Sequence, residues 1–222
     1  MAVTTAGYPI VLSVEGRSCL VVGGGPTALV KVLGLLRAGA HVTVVAPTVI
    51  DTITALEVTV EQRPYRRADL TGRFVAIAAT GDPEVDRAVA ADGAALGILI
   101  NVADDPTHCT FTLPAVTRRE PIVVAVSTGG VSPALATWLR NRLAAALPDE
   151  LDELVGLIGD ARSRIRGAGT GTEGLAWHEL IDAVAGALER HDGTANAVVD
   201  TFVAAATARR GVDRTDLGGT VS

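Results

Sequence analysis

Arg17-Ser18-Cys19-Leu20-Val21-Val22-Gly23-Gly24-Gly25-Pro26-Thr27-Ala28 decides the fold. An apolar, β-prone run passes without a break into three glycines and a proline, and a helical pattern then continues through Ala38. Gly39 ends that helix, and His41 to Val45 supplies a second β-rich run. Strand, tight turn, helix and strand thus fill about 30 residues, the spacing of one βαβ unit.

Within this unit Gly23-x-Gly25-x-x-Ala28 stands where a dinucleotide fingerprint belongs. Gly23 permits the tight turn, Gly25 lets the backbone approach a pyrophosphate, and the small Ala28 lets the helix pack close to the sheet. The free amides and partial positive charge of a helix start favour phosphate. Gly23, Gly24, Gly25, Pro26, Thr27 and Ala28 are therefore the expected cofactor segment, against the plainer reading of a packing turn. The second strand ends Val44-Val45-Ala46-Pro47, where many NAD sites carry Asp or Glu against the ribose. Asp51 comes late and suits a helix cap, and no Arg follows to receive a 2′-phosphate. NAD is favoured over NADP, with Ala46 and Pro47 as the cofactor residues of that strand end.

Outward from this unit the alternation continues. Residues 58–62 and 74–79 read as strands, Asp82-Pro83 opens a helix ending near Gly93, and residues 96–101 form the next strand. Nearly continuous apolar strands between helices predict a parallel sheet buried on both faces. Its strand ends carry Thr80 and Asn101, each placed to meet a ligand or to satisfy local backbone. After Asn101 the rhythm changes. Residues 110–116 and 122–127 are β-rich and too close for a crossover helix, so they predict a hairpin. Ser132-Pro133 caps a helix to about Leu147, and the remainder reads as helices over 151–165, 173–190 and 196–209. The fold class is α/β: a Rossmann-like doubly wound parallel sheet, a β-hairpin/helix segment and a helical C-terminal extension. The predicted domains are residues 1–109, 110–147 and 148–210, with a loose tail over 211–222.

Composition narrows the functional classes. The 222 residues are 48% hydrophobic but only 3% aromatic, which suits a Val/Leu/Ile/Ala core better than an aromatic RNA- or carbohydrate-binding surface. The net charge of -6 argues against nonspecific nucleic-acid or anionic-membrane binding. Cys19 and Cys109 are too few for a disulfide scaffold or an all-cysteine metal site. No signal peptide or membrane-spanning run is recognisable, and a cytoplasmic setting is expected. His108-Cys109 lacks a third ligand for a structural metal site, so no metal ligand is assigned. Ser127-Thr128-Gly129-Gly130-Val131-Ser132-Pro133 has a chemistry of its own: its glycines free backbone amides for an anion, and Ser132 caps the helix behind them. Arg118 and Arg119 add cations nearby in sequence, or form a solvated hairpin turn.

Taken in order, Tyr8-Pro9-Ile10, Val21-Val22-Gly23-Gly24-Gly25, Ala28-x-x-Lys31, Ala76-Ile77-Ala78-Ala79-Thr80, Asn101-Val102-Ala103-Asp104 and Val124-Ala125-Val126-Ser127-Thr128-Gly129-Gly130-x-Ser132-Pro133-Ala134 resemble the precorrin-2 dehydrogenase / sirohydrochlorin ferrochelatase family, including the amino-terminal half of bifunctional sirohaem synthases. The resemblance covers nearly all of residues 8–147. It implies NAD-dependent oxidation of precorrin-2 to sirohydrochlorin and, in some members, insertion of Fe2+ as a substrate. It implies Asp104 as the catalytic carboxylate, Ser127, Thr128, Gly129, Gly130 and Ser132 as a tetrapyrrole-binding loop, to which the cations of Arg118 and Arg119 could add, and a homodimer formed through the hairpin and helices. Thr128 stands where the family often has Ser, and Asp105 where a small residue is expected. Methylation of uroporphyrinogen is expected from a separate protein. The competing classes are a non-catalytic nucleotide- or tetrapyrrole-binding regulator and a chelatase with little dehydrogenase activity. A short-chain reductase is disfavoured, since no Tyr-x-x-x-Lys pair is evident.

Overall fold

The structure, a computed structural model, describes residues 7–208. The tail expected over residues 211–222 lies outside them. The described chain forms two compact units, residues 7–115 with 126–137 and residues 116–125 with 138–208.

The first unit is built on a parallel sheet of five strands in the order β3-β2-β1-β4-β5. These are β1 (Ser18–Val22), β2 (His41–Val45), β3 (Thr59–Glu61), β4 (Val75–Ala78) and β5 (Leu99–Val102). Helices α1 (Pro26–Arg37) and α3 (Pro83–Leu96) and the short α2 (Asp51–Thr54) connect them. Side chains alternate along each strand, so one strand feeds two cores. Cys19 and Val21 of β1 with Val75 and Ile77 of β4 join a cluster with Ala28 and Val32 of α1. Leu20, Val22, Ala76 and Ala78 point the other way, to Val89 and Ala90 of α3. Both faces are covered, which is why these strands read as unbroken apolar runs. On that second face Gly93 lets α3 pack closely on β5: a Cβ there would fall 2.2 Å from Ile100 Cδ1, and the Ile100 side chain would have to move.

Several boundaries differ from the sequence expectation, among them the start of β5 at Leu99 and, at Trp177, of the helix expected over 173–190, and two have a visible cause. Helix α3 runs past Gly93 to Leu96 and stops at Gly97, which takes the left-handed conformation (φ 69°) and caps it. The hairpin is shifted toward the C-terminus: β6 spans Ala115–Arg119 and β7 spans Ile122–Val126, joined by Glu120-Pro121 alone. Thr110, expected in the first strand, is tied to β5 instead; its hydroxyl accepts from Ile100 N–H at 2.7 Å and its own N–H donates to Ile100 O at 2.8 Å. The unit boundary runs through β6, β7 and α4 (Pro133–Ala145).

The second unit is helical, with α5 (Leu151–Gly167), α6 (Trp177–Arg190) and α7 (Ala195–Ala208). Ile165, Val184 and Val199 sit at its centre with exposures of at most 1%. Trp177 packs on Phe202 with ring centroids 5.4 Å apart, and its indole N–H donates to Thr172 O at 2.9 Å. Among the described residues no helix is long and apolar enough to cross a membrane.

Candidate functional site

In the first unit the strand order reverses beside β1: the chain winds outward to β2 and β3, then returns to place β4 on the other side. A sheet of this topology opens a crevice at the carboxyl ends of the strands flanking that point. The glycine turn follows β1 at this edge. Gly23 has φ 127°, and a Cβ on it would lie 2.2 Å from Ala79 O, so the turn and the end of β4 touch backbone to backbone. A Cβ on Gly24 would lie 2.1 Å from Thr48 O, and Gly24 O accepts from Ile50 N–H at 2.9 Å; the chain leaving β2 is folded down on the turn. Gly25 is different: a Cβ there meets nothing within 4 Å.

Gly25 is also the N-cap of α1 and has no side chain to bond the helix start. Pro26 opens the helix without an N–H, and Leu29 is the first amide to reach back, to Gly25 O at 3.0 Å. The amides of Thr27 and Ala28 precede that first bond and keep their donors for another acceptor. An open approach at Gly25 and uncommitted amides behind it suit a phosphate group. Thr27 and Pro26 are exposed, whereas Ala28 is wholly buried against the sheet. At the end of β2, Ala46 is buried and Pro47 exposed.

Beyond β4, Thr80 is held rather than free. Its N–H and hydroxyl both donate to Asp86 Oδ1, at 3.2 and 2.7 Å, and its hydroxyl accepts from Asp82 N–H at 3.0 Å. Asp82 caps α3 by accepting from Glu84 N–H at 2.9 Å. Asp86, only 7% exposed, is thus the support of this loop. The sequence reading passed over it because its partner lies six residues back across a turn.

The loop after β5 carries the acidic pair. Asn101 is buried, and its amide donates to Phe111 O at 3.0 Å and to Cys109 Sγ at 3.5 Å. Cys109 Sγ also accepts from Val102 N–H at 3.1 Å, so the thiol fills the loop's interior. Asp104 stands out from this frame. It has φ 61°, a left-handed conformation that few residues other than glycine adopt, and it is exposed. Among the described residues its carboxylate takes no hydrogen bond. Asp105 instead pairs with His108, Oδ2 to Nδ1 at 2.7 Å, and that hydrogen bond holds its carboxyl below the usual range.

Next to this loop lies the glycine-rich connection after β7. Gly129 (φ 61°) and Gly130 (φ 85°) are both left-handed, and with Val131 they face Pro106 and Thr107 across an open pocket of about 360 Å³. Thr128 and Ser132 close the connection reciprocally: the Thr128 hydroxyl donates to Ser132 O at 3.0 Å and accepts from Ser132 N–H at 3.1 Å. Ser132 Oγ accepts from Leu135 N–H at 3.1 Å, the cap expected for α4. Ser127 Oγ accepts from Gly129 N–H at 3.3 Å. The structure therefore brings together, in one unit, the loop of Asn101 and Asp104 and the segment Ser127–Ser132. Arg118 and Arg119 fall in the other unit. Arg118 is exposed; Arg119 donates to Pro148 O at 2.6 Å and Asp149 O at 2.8 Å and faces Asp152 at 3.5 Å.

A five-stranded doubly wound sheet with an open, uncapped glycine turn defines a nucleotide-binding protein of the Rossmann-like class. A family model described as putative NAD(P)-binding matches residues 10–115, and one described as sirohaem biosynthesis protein central matches residues 119–146. The chain is 42% identical over 163 residues to a siroheme synthase of Nitrosomonas europaea, covering 71% of this chain and 34% of that protein. It is 36% identical over 220 residues to a siroheme synthase of Thioalkalivibrio sulfidiphilus, covering 96% of this chain and 44% of that protein. The chain thus spans less than half the length of these relatives. Among solved structures, SirC, a precorrin-2 dehydrogenase, superposes with a TM-score of 0.67 at 26% identity, covering 89% of this chain and 97% of that one. Over most of its length the chain is thus similar to siroheme synthases and to a precorrin-2 dehydrogenase.

Proposed function

We infer that this chain catalyses the NAD-dependent dehydrogenation of precorrin-2 to sirohydrochlorin, a step of sirohaem biosynthesis. The observation that carries the reading is Asp104: an exposed carboxylate held in a left-handed turn, at the same carboxyl edge of the sheet as the open glycine turn. Removing two hydrogens from the macrocycle requires a hydride acceptor and a proton acceptor. Bound NAD supplies the first. Gly25, Thr27 and Ala28 hold the pyrophosphate with backbone amides, flanked by Gly23, Gly24 and Pro26, and Ala46 and Pro47 border the adenosine end. Asp86 fixes Thr80 at the crevice, and Asn101 fixes the loop from which Asp104 projects. The Asp104 carboxylate, which takes no hydrogen bond among the described residues, accepts the proton. The amides of Gly129 and Gly130, with Ser127, Thr128 and Ser132 setting their geometry, bind peripheral carboxylates of the substrate. Arg119 holds the connection to α5.

Ferrous-ion insertion is the natural extension, with Fe2+ as substrate and Asp104 receiving the pyrrolic protons. The working form is a homodimer. The test is turnover of precorrin-2 with NAD by wild-type and Asp104→Asn protein. The variant should lose a factor of about 10² to 10⁴ in kcat, the range of a general base, while binding NAD unchanged. Full activity in the variant removes Asp104 from the chemistry.

A further inference from the structure

The end of β2 carries no charge, yet the edge it belongs to does. Val45, the last residue of β2, is in register with Glu61, the last of β3, and Ala46 N–H donates to Glu61 O at 3.3 Å. Glu61 and the nearby Arg63 therefore stand at the carboxyl edge where β2 ends, the edge that meets the adenosine ribose in doubly wound sheets. A cation at this edge receives the 2′-phosphate of NADP, and a carboxylate repels it. Arg63 is not available as such a cation. Its NH2 donates to a Glu61 carboxylate oxygen and, at 2.6 Å, to Asp69 Oδ1; its NH1 donates to Asp69 Oδ2 at 2.9 Å and to Pro64 O at 3.1 Å. Asp69 is a well-fixed acceptor, 8% exposed, and it also takes Arg66 N–H at 2.8 Å. The hydrogen bond from Arg63 holds its carboxyl below the usual range. The two carboxylates take up the Arg63 guanidinium, and Arg66 adds a second positive charge beside Asp69.

We propose that Glu61, Arg63 and Asp69 set the choice of NAD over NADP: the two carboxylates occupy Arg63 and Glu61 places its own carboxylate at the ribose edge, so hydroxyls are accepted there and a 2′-phosphate is refused. The inference rests on the reading that the glycine turn binds a nicotinamide dinucleotide. Arg63 is a discriminating cation switched off by its neighbours, a role that β2 cannot supply.

The test is calorimetric titration of NAD+ and NADP+ into wild-type, Glu61→Gln and Glu61→Gln/Arg63→Ala proteins, which needs no tetrapyrrole. Glu61 is 40% exposed, and Gln fits its place. The wild type should prefer NAD+. In Glu61→Gln, NADP+ affinity should rise about tenfold, the worth of one charge-assisted bond from the Arg63 N–H that Glu61 held, while Asp69 keeps its own bonds to Arg63. NAD+ affinity should move by no more than about twofold, since an exposed ion pair contributes little. Adding Arg63→Ala should abolish the gain. Equal wild-type affinities, unchanged NADP+ affinity in Glu61→Gln, or a gain that persists without Arg63 overturns the proposal. If the folded wild type binds neither dinucleotide, the reading of the glycine turn fails and this inference fails with it.

Discussion

Gly23 and Gly25, two residues apart, are glycine for opposite reasons. At Gly23 the backbone is left-handed and Ala79 O fills the space of a Cβ; at Gly25 the backbone is extended and the same space is open. Gly23→Ala should therefore cost about 3 kcal/mol or more of stability, from conformational strain and overlap with the end of β4. Gly25→Ala should leave the urea midpoint near wild type but weaken NAD binding by about tenfold or more, as a methyl enters the phosphate approach. Urea denaturation and NAD titration of both variants check this. A Gly25→Ala protein that binds NAD normally would remove that residue from the phosphate site. The same logic of occupied and open space separates Asp104 from Asp105: among the described residues the first carboxylate takes no hydrogen bond and sits on a left-handed backbone, while the other is spent on His108.

At the scale of the element, α4 begins on a side-chain lock. Ser132 accepts from Leu135 N–H, and Thr128 bonds Ser132 in both directions. Ser132→Ala should cost about 1 kcal/mol, the usual worth of an N-cap, and should raise the KM for precorrin-2 more than it lowers kcat. Unaltered stability would mean the cap is replaced by solvent. The elements legible in the sequence were those with local causes: β1, α1, β2 and β4 are apolar runs bounded by glycine, and Asp82-Pro83 announces α3. The hairpin was legible in kind but not in position. Residues 110–113 have strand-forming composition, yet Thr110 bonds to Ile100 across the loop, an attachment with no local signature. In the candidate site the glycine turn and the Ser132 cap were readable for the same local reason. Asp86 on Thr80 and Asp69 on Arg63 were not, since each pairing spans six residues and requires the fold to turn between them.

At the scale of the molecule, a buried parallel sheet and a separate helical cluster carry separate acid-sensitive carboxylates. In the sheet unit Arg63 lowers the pKa of Asp69; in the helical unit Thr194, with Arg190, brings Asp192 down to about 2. Both folded values lie below the unfolded one, so their stabilising effect is complete above the unfolded aspartate pKa of about 3.9 and is lost as pH falls through the folded values. Both tryptophans, Trp138 and Trp177, lie in the second unit, so fluorescence reports on it alone. Between pH of about 4 and the Asp192 value of about 2, the fluorescence-detected melting temperature should fall in wild type and fall less steeply in Asp192→Asn. Identical slopes would contradict the role given to Asp192. The whole chain acting on one substrate is tested with purified protein, precorrin-2 and NAD incubated anaerobically without metal, with NADH and sirohydrochlorin quantified together. Equal, time-matched formation of the two is the predicted result; folded protein that yields neither from verified precorrin-2 would contradict it.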